Sequence, residues 1–299
     1  MSTLRDARWV GAFTAIVTPF SADGTRIDEE RLKEQVAFQA KGGVKGIVIA
    51  GTTGESPTLH EDEYKRLAVL GVKLAHGHGM LAVVGTGSNS TEHAMALQRY
   101  AASIGADAGL CVNPYYNKPV QEGLYRHFWE VAGSSPLPVM LYNIPGRTGV
   151  ALTPATVERL ARHPRIVAVK EATGSTDSAS EIASRCPDVA LLSGDDSMTL
   201  PFASVGGVGV VSVVSNLVPG KVSELCAAFL KGDQATALRV HRELFALCRA
   251  MFVETNPIPI KAAMRLLGRD SGALRLPMTP ATEETERTVK AALTAAALV

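Results

Sequence analysis

The sequence predicts an α/β fold, a (β/α)8 or TIM barrel over residues 1–232 followed by a C-terminal helical extension over residues 233–299. Three observations predict it. Eight short apolar, β-branched runs recur along the chain, longer helical patterns separate them, and from Asp233 onward the strand signal stops while three helical patterns follow. Runs that are apolar on both faces, each followed by a helix, belong to a parallel sheet covered on both sides, because a parallel crossover lays its helix on the sheet. Eight such units suggest closure into a barrel. A doubly wound open sheet is the alternative, but that fold usually shows G-x-G-x-x-G after its first strand, and Val17-Thr18-Pro19-Phe20 is no such loop. Gly85-Thr86-Gly87-Ser88-Asn89-Ser90 lacks the third glycine and comes after the third run, and no Walker A sequence is found.

In chain order the strand runs are residues 12–17, 46–50, 81–84, 108–112, 139–143, 166–170, 190–193 and 209–213. Helical patterns lie between them, among them 28–41, 61–75, 91–104, 121–133 and 153–162. Several open on a capping signal, such as Ser90, or Thr153 with Pro154 at the first helical position. The extension reads as helices over roughly 233–253, 257–267 and 282–297.

With 299 residues, 46% hydrophobic and 20% charged, the chain can bury a full core, which excludes disorder, collagen-like repetition and a disulfide-stapled miniprotein. Thirty Lys+Arg against 29 Asp+Glu leave a net charge of +1, so neither a nucleic-acid footprint nor a polybasic membrane patch is expected. The expected partner is a small molecule. Cys111, Cys186, Cys226 and Cys248 stand far apart with no C-x-x-C pair, which reads as reduced thiols and argues against a thiolate zinc site. Charges without an apolar run over residues 1–9, and no membrane-length apolar stretch, make a cytoplasmic location the expectation. The seven histidines show no H-x-x-x-H spacing and read as exposed loop residues, not metal ligands.

In such a barrel the site is built at the C-terminal ends of the strands. The second run is followed by Gly51-Thr52-Thr53-Gly54-Glu55-Ser56, the fourth by Asn113-Pro114-Tyr115-Tyr116-Asn117, and the fifth closes on Tyr142-Asn143-Ile144-Pro145-Gly146-Arg147-Thr148-Gly149. The sixth ends at Lys170-Glu171-Ala172-Thr173-Gly174, and the seventh runs into Ser193-Gly194-Asp195-Asp196. Lys170 terminates Ile166-Val167-Ala168-Val169, so its amine is expected in an apolar mouth where desolvation lowers a lysine pKa. A partly neutral lysine is a nucleophile toward a ketone and forms a Schiff base. The competing expectation is a lysine that snorkels to solvent or pairs with Glu171.

An imine that becomes an enamine needs a proton shuttle, and Tyr142, on the neighbouring strand, is the candidate phenol. Tyr115 and Tyr116 are consecutive, so only one of them can point into the site. Thr52 and Thr53, between Gly51 and Gly54, offer hydroxyls and N–H groups suited to a keto-acid carboxylate. Arg147 can hold a second carboxylate with two parallel hydrogen bonds. Taken singly, each is also ordinary turn chemistry or a surface ion pair; together they converge on one face of the barrel.

These segments, with Asn256-Pro257-Ile258-Pro259-Ile260-Lys261 and Leu274-Arg275-Leu276-Pro277-Met278, resemble the dihydrodipicolinate synthase family of pyruvate-dependent class I aldolases along nearly the whole chain. The wider superfamily, N-acetylneuraminate lyase included, shares the lysine, the tyrosine and the glycine-rich first loop; the Thr52-Thr53 pair and Arg147 separate the synthase. The resemblance implies condensation of pyruvate with L-aspartate 4-semialdehyde to 4-hydroxy-tetrahydrodipicolinate, on the route to diaminopimelate and lysine, without a cofactor or metal. It implies Lys170 as the Schiff-base residue, Tyr142 as the acid/base, and Thr52 and Tyr116 as its proton relay, Tyr116 reaching into a neighbouring copy's site. Thr53, Gly194 and Val211 would form the pyruvate pocket and Arg147 would bind the semialdehyde carboxylate. A homotetramer is implied in the same way.

The family's lysine-inhibition site maps onto Ser56, Asn89 and Tyr115, with Glu61 and Tyr64 at positions that are histidine in some members and His93 where others carry an acid. A largely neutral imidazole in place of that anion predicts weak inhibition by lysine or none. The alternatives are another pyruvate-dependent aldolase or lyase of the superfamily, acting on sugar acids or hydroxy-oxo acids, a non-catalytic keto-acid-binding barrel, and a metal-dependent aldolase. The Thr pair and Arg147 argue against the first, retention of Lys170 and Tyr142 against the second, and the lack of a His/carboxylate cluster at strand ends against the third.

Overall fold

The apolar runs form eight parallel strands: β1 (Gly11–Ala15), β2 (Gly46–Ile49), β3 (Leu81–Gly85), β4 (Ala108–Val112), β5 (Val139–Asn143), β6 (Ile166–Glu171), β7 (Ala190–Ser193) and β8 (Gly209–Ser212). Each bonds to the next and β8 bonds back to β1, which closes the barrel and leaves no edge. The computed structural model describes residues 5–299. Around the strands lie α1 (Glu29–Lys41), α2 (Glu61–Gly77), α3 (Thr91–Ser103), α4 (Gln121–Gly133), the single turn α5 (Pro145–Thr148), α6 (Pro154–Ala161), α7 (Thr176–Arg185), the short α8 (Thr199–Ala203) and α9 (Pro219–Leu230). The extension contributes α10 (Gln234–Ala250), α11 (Ile258–Leu266) and α12 (Glu283–Ala295).

The expected caps form. Ser90 accepts from the His93 N–H at the start of α3, and Thr153 accepts from the Thr156 N–H ahead of Pro154 in α6. Three strands, β1, β2 and β8, end earlier than their apolar runs, and in β1 and β8 side chains take over the next N–H groups. The Val17 N–H turns to the Asn216 side chain, and the Val213 and Val214 N–H groups turn to the Asp196 carboxylate, so neither backbone continues its ladder.

Side chains alternate between the barrel interior and the helical coat. Phe13, Val48, Val83, Leu110, Met140, Ala168, Leu192 and Val211 fill the interior, with Trp9 stacked on Phe13 at its base. The outward residues pack under the helices, and α10, α11 and α12 share that core with α1, α2 and α9 through Leu247, Met251, Ile260, Met264 and Val289. One irregularity matters for the site. The β5–β6 pairing shifts by one residue between Val139 and Met140, so that Val139 pairs with Ile166 but Met140 with Ala168 and Tyr142 with Lys170.

The histidines correct the expectation of exposed loop residues. His76, His93, His127 and His241 lie on helices, and His127 and His163 are buried. His127 occupies the apolar face of α4, hydrogen-bonded to Thr91 at 2.9 Å and edge-on to Phe128, and burial pushes its pKa down to about 4. His163 packs edge-on against Trp129. Amphipathic imidazoles with one satisfied nitrogen fit such half-apolar positions. The four cysteines are unpaired and buried. Among the described residues no helix is long and apolar enough to cross a membrane.

Candidate active site

Lys170, the penultimate residue of β6, lies on the interior side, 5% exposed, beside its register partner Tyr142 on β5. Its Nζ lies 4.0 Å from the Tyr142 ring centroid. Burial lowers the Lys170 pKa to about 7; the Asp196 carboxylate raises it and Arg147 lowers it further. The competing alternative, a pairing with Glu171, does not occur. Glu171 faces away from the interior and accepts hydrogen bonds from the Asn143 side chain (2.9 Å) and the Thr173 N–H (2.8 Å). Lys170 is therefore an amine with a large neutral fraction at neutral pH.

Burial pushes the Tyr142 phenol up to about 12, with the Arg147 charge and the neighbouring Thr52 hydroxyl acting the other way. It keeps its proton and can donate it. The loop bearing Thr52 folds on itself, with the Gly54 and Ser56 N–H groups bonded to the Gly51 carbonyl and the Glu55 N–H to that of Thr52. Thr53 is buried, and its Oγ1 accepts from the Asn256 side chain at 3.0 Å.

Gly194 borders Lys170 directly. A β-carbon there would stand 2.7 Å from the Ala172 Cβ and 3.2 Å from both Cγ and Cε of Lys170. Val211 is buried in the barrel interior on β8. Arg147, on α5, donates to the Asn256 carbonyl at 2.9 Å, and the two residues line an open cleft of ≈ 660 Å³. Tyr116 is not gathered with Lys170, Tyr142 and Thr52: it is 89% exposed with a left-handed φ of 74°.

The residues of the expected inhibitor site fall on one side of the barrel. Glu61 opens α2, and its pair with Lys65 at 2.6 Å holds its carboxyl low, with His93 nearby. Asn89 donates to the Tyr115 carbonyl at 3.2 Å. Ser56 follows the threonine loop in a single 3₁₀ turn. Tyr64 is buried, its hydroxyl donating to the Gly85 carbonyl at 2.9 Å.

Three residues around the site had no role assigned from sequence. Asp196 is buried behind Lys170, held by Ser212 and by the Val213 and Val214 N–H groups (2.8 and 3.0 Å). Asn256 touches both Thr53 and Arg147. Lys261 pairs with Glu55 in the interior. Asp196 stood in a strand-end motif; Asn256 and Lys261 stood in segment 256–261, which carries part of the resemblance but lies beyond the barrel strand ends.

Comparison with known proteins agrees with this architecture. The model of the dihydrodipicolinate synthetase family matches residues 8–296. A 4-hydroxy-tetrahydrodipicolinate synthase from Nitratidesulfovibrio vulgaris is 48% identical over 291 residues, which is 97% of this chain and 99% of the relative. The structure of the synthase from Cyanidioschyzon merolae with lysine bound superposes with a TM-score of 0.95 at 42% identity, covering 98% of this chain and 100% of that one. The chloride-inhibited synthase from Acinetobacter baumannii complexed with pyruvate gives 0.94 at 38% identity, covering 97% and 99%. Sequence and fold agree, and the chain belongs to the dihydrodipicolinate synthetase family.

Proposed function

We propose that this chain carries out 4-hydroxy-tetrahydrodipicolinate synthesis, a lyase-class condensation of pyruvate with L-aspartate 4-semialdehyde, through a Schiff base on Lys170. The observation that carries the proposal is the buried, strand-end Lys170, with a pKa near 7, set against the Tyr142 phenol. The neutral Nζ attacks C2 of pyruvate, and the carbinolamine loses water as Tyr142 supplies a proton to the departing hydroxyl. Loss of a C3 proton gives the enamine, whose C3 then bonds to the aldehyde carbon of the semialdehyde while that oxygen gains a proton. Attack of the semialdehyde's own amine on the imine carbon closes the ring and frees Lys170.

Thr52, whose hydroxyl neighbours Tyr142, passes protons to and from the phenol. Thr53 and its loop receive the pyruvate carboxylate, Gly194 leaves room for the bound keto acid, and Val211 presents an apolar wall. Arg147 spends one N–H on the Asn256 carbonyl and keeps the rest of its fork for the semialdehyde carboxylate. Tyr116 completes the relay in a neighbouring copy, which suits its exposure, and makes the working unit an oligomer, a homotetramer in this proposal.

The test is incubation with pyruvate and borohydride, with and without a chelator, followed by peptide mass spectrometry. A reduced pyruvate adduct on Lys170 that survives chelation is the expected result. No adduct, or an adduct on another lysine, overturns the assignment. A panel of aldehyde acceptors then separates the semialdehyde from sugar-acid or hydroxy-oxo-acid substrates.

A further inference from the structure

The loop that carries Thr52 and Thr53 is bounded by two non-glycine residues in left-handed conformation, Ala50 at φ 51° and Glu55 at φ 53°. A β-carbon makes that region unfavourable, so such a conformation persists only where surrounding structure over-determines it. The Ala50 carbonyl lies where a β-carbon on Gly85 would be, at 2.1 Å, so the loop enters over a position only glycine leaves open. At its far end the Glu55 carboxylate turns inward. One oxygen meets Lys261 Nζ at 2.7 Å and the other accepts the Arg275 N–H at 3.1 Å. Lys261 is fully buried, donates also to the Thr18 carbonyl at 3.0 Å, and lies 4.3 Å from the Phe20 ring centroid. Thr18 in turn donates to the Gly54 carbonyl at 2.7 Å. These tethers connect the threonine loop to α11 and the segment after it.

A buried ion pair is a poor way to gain stability, because apolar residues of similar volume often do as well or better. Its directional hydrogen bonds do supply what an apolar pair lacks, a fixed angle and distance for the loop it ends. We infer that Lys261 and Glu55 are positioning residues: their ion pair holds the strained threonine loop so that the Thr52 hydroxyl meets Tyr142 and Thr53 meets the pyruvate carboxylate. The inference rests on the site roles proposed above. The C-terminal extension, which supplies no residue to the barrel strands, thereby sets the geometry of the first substrate's pocket.

The full chain is compared with Lys261→Met and with the double variant Glu55→Gln/Lys261→Met. The double variant removes both charges, so no ion is left unpaired in the interior and the fold is spared that cost. Sites are counted by borohydride-trapped pyruvate on Lys170, and KM for pyruvate and kcat are measured per trapped site. Both variants are expected to raise KM for pyruvate and to lower kcat, each by roughly ten- to a hundredfold, the scale of a misplacement of about 1 Å. The pH dependence of trapping, which reports Lys170 on another strand, stays as in the parent. A merely stabilising pair lowers the number of sites and the melting temperature but leaves KM per site unchanged, and that result overturns the inference while the Schiff base on Lys170 stands. Failure of the parent chain to trap pyruvate on Lys170 overturns the site assignment and the inference together.

Discussion

Lys170 and Tyr142 are register partners on adjacent parallel strands, with the lysine nitrogen 4.0 Å from the centroid of the phenol ring. The ring face is electronegative and favours an ammonium above it. Burial and the Arg147 guanidinium disfavour one, while Asp196 favours it, and the balance places the pKa at about 7. The same burial keeps the phenol protonated. A nucleophile that is partly deprotonated thus stands beside an acid that is not.

The first consequence is kinetic. The initial rate of pyruvate trapping by borohydride should rise as pH increases through about 7 and level off above it, because only the neutral amine attacks. Stopped trapping reactions analysed by mass spectrometry measure this. A rate still climbing steeply toward pH 10 would mean that the lysine keeps its ordinary pKa.

The second is thermodynamic. The native Lys170 pKa lies below its unfolded value of 10.5, so between about 7 and 10.5 the unfolded chain binds more protons and stability rises with pH. Lys170→Met removes the cost of burying the charge. The variant should be inactive yet more stable, by on the order of a few kcal/mol below pH 7, with the gain fading as pH approaches 10.5. Thermal melts of both proteins across that window provide the comparison, and a destabilised variant at neutral pH contradicts the expectation.

Gly194→Ala should damage catalysis and also cost some stability. Its β-carbon meets the Ala172 Cβ, which is fixed to the backbone, at 2.7 Å and the Lys170 stem at 3.2 Å, so the backbone and the lysine must both shift. A fall in kcat/KM for pyruvate of roughly ten- to a hundredfold is expected. Steady-state kinetics beside a thermal melt separates this from general destabilisation.

Arg147→Leu should leave imine trapping intact at a pH well above 7, where Lys170 is neutral with or without the guanidinium, while kcat/KM for the semialdehyde drops. Losing charge-assisted hydrogen bonds to a carboxylate costs about 1.5–3 kcal/mol, or roughly ten- to over a hundredfold. Equal losses toward both substrates would show instead that Arg147 only braces Asn256.

Lysine should inhibit this chain weakly or not at all. Glu61 faces His93 and is held by Lys65, so the region offers a cationic ligand little uncompensated negative charge. The C. merolae relative has been solved with lysine bound. A sub-millimolar inhibition constant for lysine overturns this expectation, and His93→Glu, which supplies an anion, should increase sensitivity.

Much of this protein was legible as sequence because its chemistry is local. Apolar runs ending at Lys170, Tyr142 and the Thr52-Thr53 loop announce the barrel, and the residue types announce imine chemistry, since each depends on neighbours a few positions away. What tertiary structure alone decided depends on register and on long-range contact. Had the pairing of Val139 with Ile166 continued unbroken, Tyr142 would stand level with Val169; the one-residue shift brings Lys170 alongside instead. Side chains on a strand alternate, so one residue separates an inward lysine from an outward one, and hydrophobicity that is continuous on both faces carries no mark of the choice. The same holds for Lys261 and Asn256, which join Glu55, Thr53 and Arg147 across more than a hundred residues of chain. Their partners are set by how the extension packs on the barrel, and no periodicity within either segment encodes that.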